Sequence, residues 1–264
     1  MLPTERRQAI LTLVRDQCAV RAEDLAQQFE VSVETVRRDL RLLASHGLLE
    51  RVYGGASTLV RSSEGTFEQR RVSSNAEKRA IGALAAGLLE GGETILIDVG
   101  TTCQAVARAI APAWYGRVIT NSVPVAVELA ERPLVDVLLS GGWVRGADLA
   151  CAGSYAARVF DDFNVSVAFV GSGGVHPSLG LTDYHASEAE LRREWLAHAG
   201  QAYILADSSK LGEVAPCRVA PLDSFAALVT DDGITATMRE EFERADLPVH
   251  VASVGRNGAR GPAS

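Results

Sequence analysis

Six times between residues 95 and 232 a short apolar run ends in a cluster of Gly, Ser, Thr, Asn or Asp, and this repeat constrains the fold more than any other feature. Ile95-Leu96-Ile97 runs into Asp98-Val99-Gly100-Thr101-Thr102, and Val118-Ile119 into Thr120-Asn121-Ser122. Leu138-Leu139 runs into Ser140-Gly141-Gly142, and Ala168-Phe169-Val170 into Gly171-Ser172-Gly173-Gly174. Ile204-Leu205 leads to Asp207-Ser208-Ser209-Lys210, and Leu228-Val229 to Thr230-Asp231-Asp232. Helical periodicity separates most of these runs, so the expected class is α/β with a mostly parallel sheet. In such sheets ligands bind beyond the carboxyl ends of the strands, where every one of these polar clusters falls. Each cluster alone is ordinary turn chemistry. Together they form a set of backbone amides, hydroxyls and helix N-termini suited to a small, polar, anionic ligand.

Gly173-Gly174 does not complete a G-x-G-x-x-G, because His176 takes the last position, and no G-x-x-x-x-G-K-[ST] is present. Dinucleotide and P-loop nucleotide binding are therefore disfavoured. The four cysteines are scattered without metal-ligand spacing, so they read as reduced thiols, with neither metal nor cofactor expected. No apolar run approaches the ~20 residues of a membrane span. The chain reads as a cytoplasmic protein.

Charge is distributed unevenly. Residues 1–61 are near neutral, with nine arginines against eight acids, whereas the whole chain carries a net charge of -7. Only the front suits DNA. There, apolar periodicity predicts a helix over 4–17 and a short one over 22–29, and Ser32 caps a third. On that third helix Val33, Val36, Leu40 and Leu43 share one face, while Glu34, Arg37, Arg38 and Arg41 lie on the other. Two short helices joined by a three-residue connection, the second presenting arginines outward, match a helix-turn-helix. His46-Gly47 stops the third helix, and the two extended segments flanking Gly54-Gly55 read as a wing.

The stretch from Val20 to Ala56, with its S-x-x-T-x-R-R-D-L core from Ser32 to Leu40, resembles the DNA-binding domain of DeoR-type bacterial regulators. Where that family often has His before Gly-Gly, this chain has Tyr53. The resemblance implies DNA contacts from Ser32, Glu34, Thr35, Arg37, Arg38, Arg41, Arg51 and Tyr53. Asp39, which phosphate would repel, is expected to pair with a nearby arginine. The later motifs D-V-G-T-T, I-T-N-S, L-S-G-G, G-L-T-D, D-S-S-K-L-G and V-T-D-D follow in the order of the family's sensor domain, which is similar to pentose-phosphate isomerases and coenzyme A transferases. Family members respond to phosphorylated sugars or sugar-like intermediates. The expected effector residues are Asp98, Gly100, Thr101, Thr102, Thr120, Asn121, Ser140, Gly141, Gly142, Gly173, Gly174, Asp183, Glu188, Asp207 and Lys210.

The chain holds two lysines, Lys78 and Lys210, among 26 basic residues. Lys210 is the leading ligand contact, because a compact ammonium suits a phosphate; Lys78 reads as structural. The expected organisation is a winged helix-turn-helix over 1–58, a linker over 59–74, a sensor domain over 75–254 and a flexible tail over 255–264. The reading is a repressor of sugar or related carbon metabolism, not an enzyme, that acts as a dimer or tetramer on double-stranded operator DNA. Two other readings compete: an isomerase using Glu188 or Asp183 as base and Lys210 as electrophile, and a winged helix that binds RNA or protein.

Overall fold

The protein is described by a computed structural model covering residues 2–17, 19–45, 48–52, 54–58, 67–146, 148–159 and 162–255. All six apolar runs are strands of one parallel sheet: β4 (Thr94–Ile97), β5 (Gly116–Thr120), β6 (Val135–Leu139), β9 (Val165–Val170), β12 (Ala199–Leu205) and β14 (Ala227–Asp231). A seventh strand, β15 (Val249–Ala252), closes one edge, giving the order β15-β14-β12-β9-β4-β5-β6. β15 is only half-buried, so it carries no continuous apolar run for a sequence reading to find.

Central strands of such a sheet are buried on both faces, and successive side chains supply two separate cores. Ile95, Ile97, Val167 and Phe169 pack with α5 (Asn75–Ala86), α6 (Thr101–Ala109) and α7 (Val123–Leu129). Leu96, Ala168, Val170 and Ile204 point the other way, into a core that includes α9 (Ala186–His198) through Trp195 and α10 (Ala236–Arg244) through Phe242. α5 and α6 pack closely because Gly82 has no side chain: a Cβ there would lie 2.6 Å from the Ala105 carbonyl carbon. Lys78, one turn before Gly82 on the same face, is thereby brought beside the α6 N-terminus. Two small antiparallel units complete this part, the hairpin β7 (Trp143–Arg145) with β8 (Ala150–Ala152), and the sheet β10 (Gly174–His176), β11 (Gly180–Asp183), β13 (Cys217–Ala220).

The front of the chain, through residue 58, is a three-helix unit with a small sheet. α1 (Pro3–Gln17), α2 (Ala22–Gln28) and α3 (Val33–Ser45) enclose Ile10, Val14, Leu25, Val36, Leu40 and Leu43. β2 (Leu49–Val52) and β3 (Gly55–Thr58) form the expected wing, and β3 also pairs with β1 (Ala19–Arg21). Of the expected linker, residues 59–66 lie outside the described residues, as do 256–264 of the expected tail. The remainder of the linker is not featureless: α4 (Phe67–Val72) is helical and forms part of a cavity wall.

Candidate functional site

Two surfaces concentrate chemistry. On the first, α2 and α3 are joined through Glu30, whose φ of 53° turns the chain sharply. The Ser32 hydroxyl accepts the Thr35 N–H at 3.2 Å, so Ser32 caps α3 as its sequence position required. Val36, Leu40 and Leu43 are buried, and Glu34, Arg37, Arg38 and Arg41 are exposed. Arg37 lies 3.5 Å from Glu23, Arg41 pairs with Glu34, and Arg38 has no ion-pair partner among the described residues. Asp39 is buried and takes Arg6 at 2.7 Å and Arg7 at 3.7 Å, so its partners come from α1 and lock α1 to α3. Gly55 is fixed by space, because a Cβ there would lie 1.9 Å from the Val20 carbonyl oxygen where β1 meets β3.

The second surface is a cavity of about 480 Å³ over the carboxyl ends of β4, β9 and β12. Its size suits a small-molecule ligand. Gly100, with φ of 125° and no side chain to cap the helix, opens α6, leaving the helix N-terminus with Thr101 and Thr102 in the wall. Gly171 to Gly173 follow β9, and Asp207, Ser209 and Lys210 follow β12. The α4–α5 corner closes another side through Gln69, Arg70, Ser73, Ser74 and Lys78. The buried Lys78 ammonium donates to the carbonyls of Arg70 at 2.6 Å and Ser73 at 2.8 Å, which fixes α4 against the cavity. Burial, reinforced by the charge of Lys210, lowers the Lys78 pKa from its ordinary value, although Asp207 opposes this. The Lys210 ammonium lies 5.7 Å from the Tyr184 ring centroid.

Arg192, 3 % exposed and surrounded by acids, also lines the cavity. Its Nε donates to Asp98 at 2.6 Å, one terminal nitrogen bonds Asp183, and the other reaches Glu188 at 3.3 Å. Arg145 bonds Glu188 from outside and also holds Asp148 at 2.9 Å. Burial raises Asp98 to about 6, against the pull of Arg192 and the Gly171 N–H. Burial also acts to raise Asp183, but Arg192 and the His185 N–H outweigh it and hold that carboxyl below its usual range. The Arg192 guanidinium stays charged, because three carboxylates more than offset its burial.

The profile of the DeoR-like helix-turn-helix domain matches residues 6–61, and that of the DeoR C terminal sensor domain matches residues 73–232. This chain belongs to the DeoR family. It is a DNA-binding transcriptional regulator by that membership. It is 34% identical to the HTH-type transcriptional regulator GlpR of Haloferax volcanii, over 94% of this chain and 98% of that protein. It is 31% identical to the HTH-type transcriptional repressor CsqR of Escherichia coli, over 92% and 94%. The glycerol-3-phosphate regulon repressor of Escherichia coli is 29% identical over 88% and 92%. Among solved structures, ribose 5 phosphate isomerase A from Neisseria gonorrhoeae aligns at TM-score 0.38 and 15% identity, covering 51% of this chain and 52% of that one.

In this DeoR-family chain the cavity gathers eight of the fifteen expected effector residues: Gly100, Thr101, Thr102, Gly173, Asp183, Glu188, Asp207 and Lys210. Seven are placed elsewhere. Asp98 lies fully buried beneath Arg192, also accepting the Gly171 N–H at 2.9 Å, and Gly174 is buried in β10 against Glu213. Thr120 and Asn121 are buried at the end of β5, where the Asn121 carbonyl accepts the Cys151 N–H and so helps seat the β7–β8 hairpin. Ser140, Gly141 and Gly142 line a separate surface groove. On the DNA side, Tyr53 and the side chain of Arg51 lie outside the described residues. Sequence reasoning passed over Arg192, Arg145, Arg70 and a cavity position for Lys78. Arg192 was detectable: it falls among Ala189, Leu191 and Trp195 on the buried face of α9, four residues after Glu188.

Proposed function

We propose that this chain is a cytoplasmic, non-enzymatic repressor whose hold on a two-half-site operator is controlled by a small phosphorylated, sugar-like effector bound in the cavity. One observation carries the effector class: the two lysines of the chain line the same cavity, beside an uncapped helix N-terminus. Two ammonium groups and oriented backbone N–H groups in one cavity suit a dianionic phosphate. Asp183 and Glu188, in the wall of the same cavity, accept hydrogen bonds from hydroxyls, with Arg192 holding them in place. The relative named as the glycerol-3-phosphate regulon repressor supports this class of ligand. An isomerase reading is weakened by the same geometry, because Asp183 and Glu188 are tied to guanidinium groups and neither is free to act as a base.

Effector binding is tested by calorimetric titration with phosphorylated sugars and polyols alongside their unphosphorylated counterparts. Selective binding of one phosphorylated compound, lost in Lys210→Ala, is the expected result. Equal binding of phosphorylated and unphosphorylated forms, or full affinity in Lys210→Ala, removes the phosphate assignment.

A further inference from the structure

Ten large apolar side chains stay exposed among the described residues from 67 onward, and eight of them fall between Tyr115 and Tyr155. That segment forms one side of the sensor domain. β6 is the last strand of the large sheet, and no described strand covers its outer edge. The β7–β8 hairpin and the short helix α8 (Ser154–Arg158) follow it directly, adding Trp143 at 64% exposure, Val144 at 54%, Leu149 at 44% and Tyr155 at 68% to Leu139 at 37%. The opposite edge, β15, carries none of these side chains. Trp143 and Tyr155 flank a groove of about 390 Å³ floored by Ser140, Gly141 and Gly142. Gly142, with φ of 99°, packs directly on β8, since a Cβ there would lie 2.6 Å from the Ala152 carbonyl oxygen.

We propose that this face, the β6 edge with the Trp143–Tyr155 groove, is where a second copy of this chain docks. Area supports that occupant. With ~150–250 Å² for each aromatic side chain, these exposures leave roughly 500 Å² of apolar side chain uncovered per copy. Two copies meeting here bury about 1,000 Å² before backbone and polar rim are added, which reaches the size of a specific interface. A two-fold contact brings the same face of both copies together, so each aromatic pair meets the glycine-floored groove of the other. Trp and Tyr are also the side chains that dominate association energy at such centres. A second copy is what paired half-sites require of a helix-turn-helix. β7 carries Arg145 beside Val144, and Arg145 bonds Glu188 in the cavity wall, so one strand touches both the interface and the cavity.

Sedimentation velocity of the full chain without added ligand tests the interface independently of any effector. The wild type is expected to sediment as a dimer or higher oligomer at about 1–50 µM. The Trp143→Glu, Tyr155→Glu double variant is expected to weaken association on the order of 100-fold, with far-ultraviolet circular dichroism unchanged. If the double variant fails to fold, Tyr155→Ser alone shifts the same equilibrium, since that ring is largely in solvent. A wild type that is monomeric throughout, or folded variants that associate as tightly as the wild type, overturns the proposal.

Discussion

Replacing Arg192 by Met removes the one cation that Asp98, Asp183 and Glu188 share while keeping the length of the side chain in its packed position. Arg192 is 3 % exposed and the three carboxylates are at most 10 % exposed, so water replaces little of what is lost. Breaking a buried ion pair by removing one partner costs about 3–5 kcal/mol. Three acceptors are left here, and Arg145 reaches only Glu188 among them, so the upper half of that range is expected. The protein limits the damage by taking up protons. Asp98, already raised to about 6, rises further without Arg192, and a carboxyl raised in the folded state loses its contribution as pH increases. The deficit is therefore largest near pH 8 and shrinks near pH 5. Urea unfolding followed by tryptophan fluorescence reads this directly, because the tryptophans, Trp114, Trp143 and Trp195, all lie in the sensor domain. Trp195 sits on α9 one turn from the substitution. A deficit below about 1 kcal/mol at both pH values refutes the reasoning and means that the cluster is not electrostatically closed.

Arg38→Ala is expected to weaken specific DNA binding by about 1–3 kcal/mol without altering the melt of the front domain; unchanged operator affinity in a titration would take Arg38 out of base recognition. Gly55→Ala drives a Cβ into the backbone where β1 meets β3 and is expected to destabilise that domain by about 1–3 kcal/mol, which proteolysis or hydrogen exchange of residues 19–58 measures. Asp98 has a folded value of about 6 against 3.8 for the free side chain, so its contribution is full below 3.8 and lost as pH rises through about 6. Relative to Asp98→Asn, wild-type stability is expected to fall by up to about 3 kcal/mol between about pH 4 and pH 7, and an unchanged difference between the two proteins contradicts the assignment.

The strands were legible because burial on both faces demands continuous apolar residues, as at Ile95-Leu96-Ile97 and Ala168-Phe169-Val170. β15 was missed because, at an edge, it needs no such run. The polar clusters were legible as strand ends but not as members of one site. Ser140-Gly141-Gly142 after β6 and Gly171-Ser172-Gly173 after β9 are the same chemistry in sequence. Spatial strand order separates them: β9 pairs directly with β4 although far from it in the chain, with β12 next beyond β9, while β6 lies on the other side of β4 with β5 between them. The α3 face was readable residue by residue, since a helix with a fixed period and a Ser32 cap leaves little freedom over which side is buried. Arg192 and Lys78 were harder. A charge on a helix is ordinarily solvated, and the tertiary packing at Gly82 and Trp195 makes these two part of a cavity.

The proposed function turns on control of operator binding by occupancy of the sensor cavity. It is tested most directly by fluorescence anisotropy on an operator selected from random DNA, titrated with the protein in the presence and absence of each phosphorylated compound. Tight, sequence-specific binding that one phosphorylated, sugar-like compound weakens is expected, with Lys210→Ala binding the same DNA at full strength and ignoring that compound. Sequence-specific binding that no phosphorylated compound alters, or that the same compound weakens equally in Lys210→Ala, contradicts it.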